Sequence, residues 1–356
     1  MSTGLQKQDK KKMEQLQIGL FEAVDLGHAQ SGNEVSYSNL IGDIDLIPRY
    51  VRGKNTSVSA LDRDLSSKLV VERKYRAMGR ELSCRIKPAL ITRKIDHEEQ
   101  EFHVYPGERE ELIERVLFLL GTKGQMIKRA VPGQAERYGI AFTLYQIRQE
   151  LKRIGKDKSY DQIREALIVI RDSKTTIVET QGGRNIEITN DIFSDAMLET
   201  SGHGRGKDRY FVTFSDYVIE QIYQLNYRQY DFIGVNSYSI GLSRFIHSFL
   251  SCNWLNCEKG AQYPLEVDEI MEAYGKPNLT KIVKRRDMRA ALKLLADKNM
   301  VTCVPPLTKN SYVITATKEL ADEIVLANKK KKGLMKLSTE IFDGERESLP
   351  DPRLYK

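Results

Sequence analysis

The sequence is poor in the residues that most often announce chemistry, with four cysteines, five histidines and one tryptophan in 356 positions. Cys84, Cys252, Cys257 and Cys303 stand at none of the paired spacings that hold zinc, and no second Cys or His pair accompanies Cys252 and Cys257. They read as reduced structural cysteines. The histidines, His28, His97, His103, His203 and His247, are isolated, so the chain has no His-x-His metal pair. It also lacks the Gly-x4-Gly-Lys-Ser/Thr loop that would cradle a nucleotide phosphate. Long apolar runs are missing: residues 116–120 and 166–170 fall far short of the roughly 20 needed to cross a bilayer. The opening MSTGLQKQDKKK has no apolar stretch of the signal-peptide kind. Together these absences predict a soluble cytoplasmic protein that uses no cofactor.

Hydrophobic residues make up 40% of the chain and are spread along it, which supports well-buried cores and, at this length, two domains with tails. The net charge of +7 is unevenly placed. Between Lys276 and Lys332 fourteen Lys/Arg face five Asp/Glu, so the rest of the chain is slightly acidic and the basic character is C-terminal.

Patterning is weak from about Leu16 to Arg80, where Gly, Ser and Asn interrupt it and short helices and loops are expected. Residues 83–93 and 101–104 are strand-like, with a polar hairpin tip at 95–99. Pro106 followed by Glu108, Glu110 and Glu111 marks a helix start, where acidic side chains complement the helix dipole. A definite order follows. Residues 139–142 form a strand, and Thr143 caps a helix carrying Leu144, Ile147 and Leu151. Gly155 closes it, Ser159 caps a second helix with the stripe Ile163, Ala166, Leu167 and Ile170, and strands at 175–179 and 185–189 flank Gly182-Gly183. Helix, turn, helix, hairpin is the order of a winged helix. It recurs without obvious sequence identity. A strand at 210–214 and a helix at 216–225 lead through a polar connection, 227–237, to a helix from about Ser239. A helix bearing Val267, Ile270 and Met271 then ends at Tyr274-Gly275, a turn at 276–279 leads into a helix over 280–299, and strands follow at 300–304 and 312–316. The fold class predicted is α+β, with tandem winged-helix domains at 81–214 and 215–328, a poorly assigned segment at 1–80, and a basic disordered tail at 329–356.

A helix-turn-helix lays its second helix in the DNA major groove, and that helix needs an apolar face for its own core and a polar face for bases and phosphates. In the first unit Tyr160, Gln162 and Arg164 occupy the polar face, Lys156 and Lys158 the preceding turn, and Ser159 the cap. A plain solvated surface helix remains the alternative there. The second unit is more one-sided: Lys281, Lys284, Arg285, Arg286, Arg289 and Lys293 stand against Asp287 alone, with Met288, Leu292 and Leu295 on the core side. Arg285, Arg286 and Arg289 suit bidentate guanine contacts and the lysines suit phosphates. Arg184 and Lys309 lie in the two wings, and the basic stretch GHGRGK at 202–207 matches no phosphate loop. No catalytic constellation is present, so the protein is not expected to be an enzyme; the acidic cluster at 108–114 has the dipole explanation.

With these features assembled, the chain resembles the iteron-binding plasmid replication initiator (Rep) proteins. The resemblance lies in FTLYQIRQELKRIGKDKSYDQIREALIVI (142–170), YFVTFSDYVIEQI (210–222), NSYSIGLSRFIHSFL (236–250) and YPGEREELIERVLFLL (105–120), within a span of about 80–328. Residues 14–80 depart from it, and the connection between the first wing and Tyr210 is longer than a wing requires. The resemblance implies binding of double-stranded DNA at direct origin repeats, and duplex opening that lets the host replication initiator and replicative helicase act. It also implies a homodimer that represses its own promoter, with self-association sought in the long hairpin region 184–214. A tandem winged-helix transcriptional repressor is the alternative, and a DNA-nicking replication enzyme a third reading.

Overall fold

A computed structural model of the chain describes residues 37–40, 45, 47–53, 56–60, 69–77, 80–130, 136–181, 184–189, 193–199, 209–223, 227–308 and 310–329. The architecture is mixed α and β, with several small antiparallel sheets. The expected tail from residue 330 onward, the 202–207 stretch and the Gly182-Gly183 turn lie outside the described residues.

The chain opens with β1 (Tyr37–Leu40), β2 (Ser57–Ser59), β3 (Val71–Ala77) and β4 (Arg80–Lys87), followed by the hairpin β5 (Ala89–Ile95) and β6 (Glu98–Val104). The tip of that hairpin is Asp96-His97, whose φ values of 51° and 72° are the left-handed pair that a two-residue hairpin turn needs. Next come α1 (Glu108–Leu120), a π-helical turn at Gly121–Gln125, β7 (Met126–Ala130) and β8 (Glu136–Thr143), then α2 (Leu144–Arg153) and α3 (Tyr160–Asp172). The strands β9 (Lys174–Gln181), β10 (Arg184–Thr189), β11 (Phe193–Glu199) and β12 (Arg209–Phe214) complete the first unit. After α4 (Asp216–Tyr223), β13 (Arg228–Asp231) and α5 (Phe232–Asn236), the second unit runs α6 (Gly241–Asn253), β14 (Gln262–Glu266), α7 (Val267–Ala273), α8 (Lys281–Asp297), β15 (Val301–Thr308) and β16 (Ser311–Ala316). A last helix, α9, covers 318–329.

Two large buried clusters organise these elements. One gathers α1, α2 and α3 with β8 and β12 around Leu117, Ile147, Ile163 and Phe142. The other gathers α6, α7, α8, α9 and the last strands around Ile246, Met271, Leu292 and Ile314. Truncating one of these side chains to Ala would cost about 2–5 kcal/mol, the usual range for a buried aliphatic residue.

Three sequence expectations change. Among the described residues the weakly patterned segment before residue 80 contributes the strands β1, β2 and β3 beside a helical residue at Asp45, and an 80/81 boundary cuts the β3–β4 hairpin, where Val71 pairs with Ile86 and Ala77 with Arg80. Arg73 hides the strand signal: it sits inward between Val71 and Tyr75 and donates from Nη1 to the carbonyls of Pro48 (2.6 Å) and Tyr50 (2.8 Å), so a true period of two reads as polar. The polar connection at 227–237 is buried structure. Tyr230, Phe232 and Val235 enter the first core, and Arg228 reaches the Asn328 side chain (2.8 Å) and the Ile324 carbonyl (3.2 Å) on α9. Finally, 184–214 is divided between sheets, since β10 pairs with β9 in the order β10-β9-β4-β3 while β11 pairs with β12 in β11-β12-β8-β7. Part of the connection between β10 and Tyr210 is β11.

Candidate nucleic-acid interface

In the second unit the turn between α7 and α8 is set by Gly275. Its φ of 90° is left-handed, and a Cβ there would run into the Arg73 guanidinium of β3. Thr280 precedes α8, and the helix then buries Lys284, Met288, Ala291, Leu292 and Leu295. What remains outward is Ile282, Arg286, Arg289 and Lys293, spaced four, three and four residues apart and therefore on one stripe. Lys281 is exposed beside it. The Arg286 side chain is 72% exposed and both its Nε and Nη2 donate to Asp287 Oδ1 (3.1 and 3.0 Å). Arg289 and Lys293 make no ion pair among the described residues.

The other two cations named from the sequence are placed differently. Lys284 turns inward, and its Nζ donates to Asp268 Oδ1 on α7 (2.7 Å) while Asn310 Nδ2 donates to Asp268 Oδ2 (2.7 Å). The bonds from Lys284 and Asn310 hold the Asp268 carboxyl below the usual carboxylate range. One carboxylate thus ties both helices to the hairpin, and Lys284 acts as a brace. Arg285 is half-buried, with Nε enclosed and without a hydrogen-bond partner. Lys309 lies outside the described residues.

In the first unit Gly155 has the left-handed φ of 68° that closes α2. Ser159 Oγ accepts from the Gln162 amide (3.2 Å) and Gln162 Oε1 accepts from the Ser159 amide (3.0 Å), a capping box worth about 1 kcal/mol that commits both side chains to the helix start. Arg148 of α2 donates twice to Asp157 (2.9 and 3.2 Å) and lies 5.2 Å over the Tyr160 ring, so Tyr160 is held against α2. Arg164 donates to the Tyr210 hydroxyl (3.2 Å) and lies 3.7 Å from Asp161. Lys158 is half-exposed. Arg184 opens β10 opposite Gln181.

The middle of α3 is covered. Glu165 accepts two bonds from Arg93 of β5 (3.0 and 2.9 Å) and one from Arg109 of α1 (2.9 Å). Burial works to raise the Glu165 carboxyl, and these two guanidiniums together bring it below its ordinary range. Below it, Val169 packs with Ala89, Ile91 and Val104 of the hairpin. The first turn of α3, at Asp161 and Gln162, and its last residues, Arg171 and Asp172, remain exposed.

The two turns meet at the start of α1. Arg244 of α6 is fully buried, donating to the Tyr238 carbonyl (2.9 Å) and to Glu108. Lys156 lies beside both, and burial, with Arg244 adding to it, lowers its ammonium against the pull of Glu108. From the other unit Tyr274 and Lys276 share a cavity of about 320 Å³ with Arg52, Arg93, Glu108 and Arg109. Arg52 bonds Glu111 and stacks 4.5 Å over Tyr274, and Arg115 donates to Ser248 of α6 (3.2 Å). The acidic run at 108–114 therefore does more than meet a helix dipole: Glu111 and Glu114 are buried partners of Arg52, Arg115 and Arg49. Burial works to raise Glu111, yet Arg52 and Arg115 bring it down to about 2.

Sequence reasoning passed over Ile282, Tyr145 in the first turn of α2, and the junction arginines. Ile282 had a signal, being an apolar residue out of phase with Met288, Leu292 and Leu295. The junction had none, because its partners are far apart in the chain. Among the described residues no group of three or more His, Cys, Asp or Glu is placed to hold a metal, and no helix is long and apolar enough to cross a membrane. Cys84 and Cys257 are free thiols, and burial pushes the Cys84 thiol up to about 12.

No family model matches the chain, and no curated protein matches it. Among solved structures it is similar to a selenomethionine derivative of domains 2 and 3 of RctB, at 10% identity and a TM-score of 0.47 over 76% of this chain and 95% of that one. A second crystal structure of RctB domains 2–3 gives 10% identity and the same TM-score over 80% and 99%.

Proposed function

We propose that this protein is a DNA replication initiator of the plasmid type, in which each helix-turn-helix-hairpin unit is a winged helix and α3 and α8 enter major grooves of repeated origin sequences. The observation that carries the reading is the outward stripe of α8: three cations at helical spacing, two of them without a counter-charge among the described residues, on a helix whose opposite face is core. Such a face suits a polyanion, since neutralising phosphates releases counterions, while arginines reach base edges. With one unit per groove the two contacts fall roughly 10 bp apart. Several bound copies would strain the adjacent duplex and open it without nucleotide hydrolysis or any catalytic step by this chain. The host initiator and helicase would then act on the opened strand. Self-association fits the 184–214 region, because among the described residues β10 and β11 are both edge strands of their sheets.

The test is a footprint of the full-length protein on the DNA flanking its own gene, together with permanganate probing of unpaired thymines, without ATP. Regularly spaced protection next to an AT-rich tract that becomes reactive is the expected result. Protection of one operator with no unpairing makes the protein a repressor instead, and relaxation of supercoiled DNA in the presence of a divalent metal makes it a nicking enzyme.

A further inference from the structure

Ile282 is the most exposed large apolar side chain among the described residues, at 79%, and the next, Tyr145, is at 53%. It is the second residue of α8 and lies one turn before Arg286 and two before Arg289 on the outward stripe. Packing does not account for it, since the buried face of α8 is elsewhere. Helix propensity does not either, because a β-branched residue is a poorer helix former than the lysines and arginines around it. A protein partner would be met by a contiguous apolar patch. The neighbours of Ile282 on the stripe are cations, so what fits is a partner that presents single apolar groups within a field of negative charge. The major groove does this: the C5-methyl of thymine is its apolar group, it stands between two phosphate backbones, and the first residues of a reading helix are the ones that reach base edges. We infer that Ile282 is a specificity-determining residue that packs on a thymine methyl while Arg286 and Arg289 engage the neighbouring base edges. This rests on the groove-reading role proposed for α8.

Full-length protein is used to enrich duplexes from a randomised library. In the enriched duplex each thymine is replaced singly by deoxyuridine, which removes only the methyl, and affinity is read by fluorescence anisotropy. At least one replacement weakens the wild type about 4-fold, the loss of one buried methyl-sized group. The same replacement leaves Ile282→Ala unaffected, and Ile282→Val keeps the discrimination. Thermal melting verifies that both surface variants are folded. No sensitive thymine, or equal sensitivity in wild type and Ile282→Ala, overturns the inference if binding still requires Arg286 and Arg289, and the groove reading then stands. No enriched duplex, or undiminished binding by an Arg286→Ala, Arg289→Ala double variant, overturns both. Sedimentation of Ile282→Ala as a smaller species with its thymine discrimination intact assigns the side chain to a contact between copies, and so also overturns it.

Discussion

On α3 every charged side chain faces a protein partner: Asp161 and Arg164 each other, Glu165 two arginines, and Arg171 its neighbour Asp172. On α8 Arg289 and Lys293 face solvent, and Arg286 has only the adjacent Asp287. The sheets differ in the same direction. In the second unit β14 returns to pair with β16, so the hairpin is completed by its own strand in the order β14-β16-β15. In the first unit β8 is taken into another sheet and the β9–β10 hairpin leans on β4 and β3. Exposed ion pairs add only about 0–1 kcal/mol, so pairing on α3 matters less for stability than for availability. A guanidinium already bonded must surrender its partner before it can bind another. The second unit leaves its helix cations outward, and the first ties its own into the frame.

The largest expected effect falls on what joins the two. Glu111→Gln leaves Arg52 and Arg115 buried without their counter-charge and should cost about 3–5 kcal/mol, read by denaturant unfolding. Its pH dependence has a definite sign. The folded carboxyl titrates at about 2, below its ordinary 4.5, so protonation favours the unfolded chain. The contribution is complete above about pH 4.5 and is lost as pH falls toward 2, and in Glu111→Gln that part of the slope disappears. Next comes the contrast itself. Arg286→Ala and Arg289→Ala should each cost about 1–3 kcal/mol of specific binding, and Arg164→Ala less than about 1 kcal/mol, by anisotropy on one duplex; the reverse ranking would invert the comparison. Gly275→Ala forces a side chain into a left-handed turn against Arg73 and should lower stability by about 1–3 kcal/mol, whereas Gly155→Ala, with open space around it, should carry the backbone strain alone. The smallest effect belongs to Lys293→Gln, which should weaken every duplex alike and reduce the salt slope by about 1.

Much of the local structure was legible because its causes are local. Thr143 and Ser159 cap where caps were expected, Gly155 and Gly275 end their helices with positive φ, and strands form at the expected 300–304 and 312–316, the first running on to Thr308. What escaped depends on residues far apart. β3 becomes a strand because β4 and then β9 lie beside it, and Arg73 is buried because carbonyls of residues 48 and 50 receive it. The rotation of α8, which sends Lys284 inward and Ile282 outward, depends on Asp268 in another helix. Charge counting picked out α8 as a one-sidedly cationic helix, but only packing could divide its cations into brace and stripe.

The bonds of Arg244 with Glu108 and of Arg115 with Ser248, and the stacking of Arg52, itself bonded to Glu111, on Tyr274, cross from one unit to the other. Such a joint behaves as a calliper locked at one opening. If both jaws engage DNA, it is the duplex that must conform: one base pair inserted between the contacted segments turns the far one by about 35° out of phase. The protein would then measure helical phase as strictly as it reads bases.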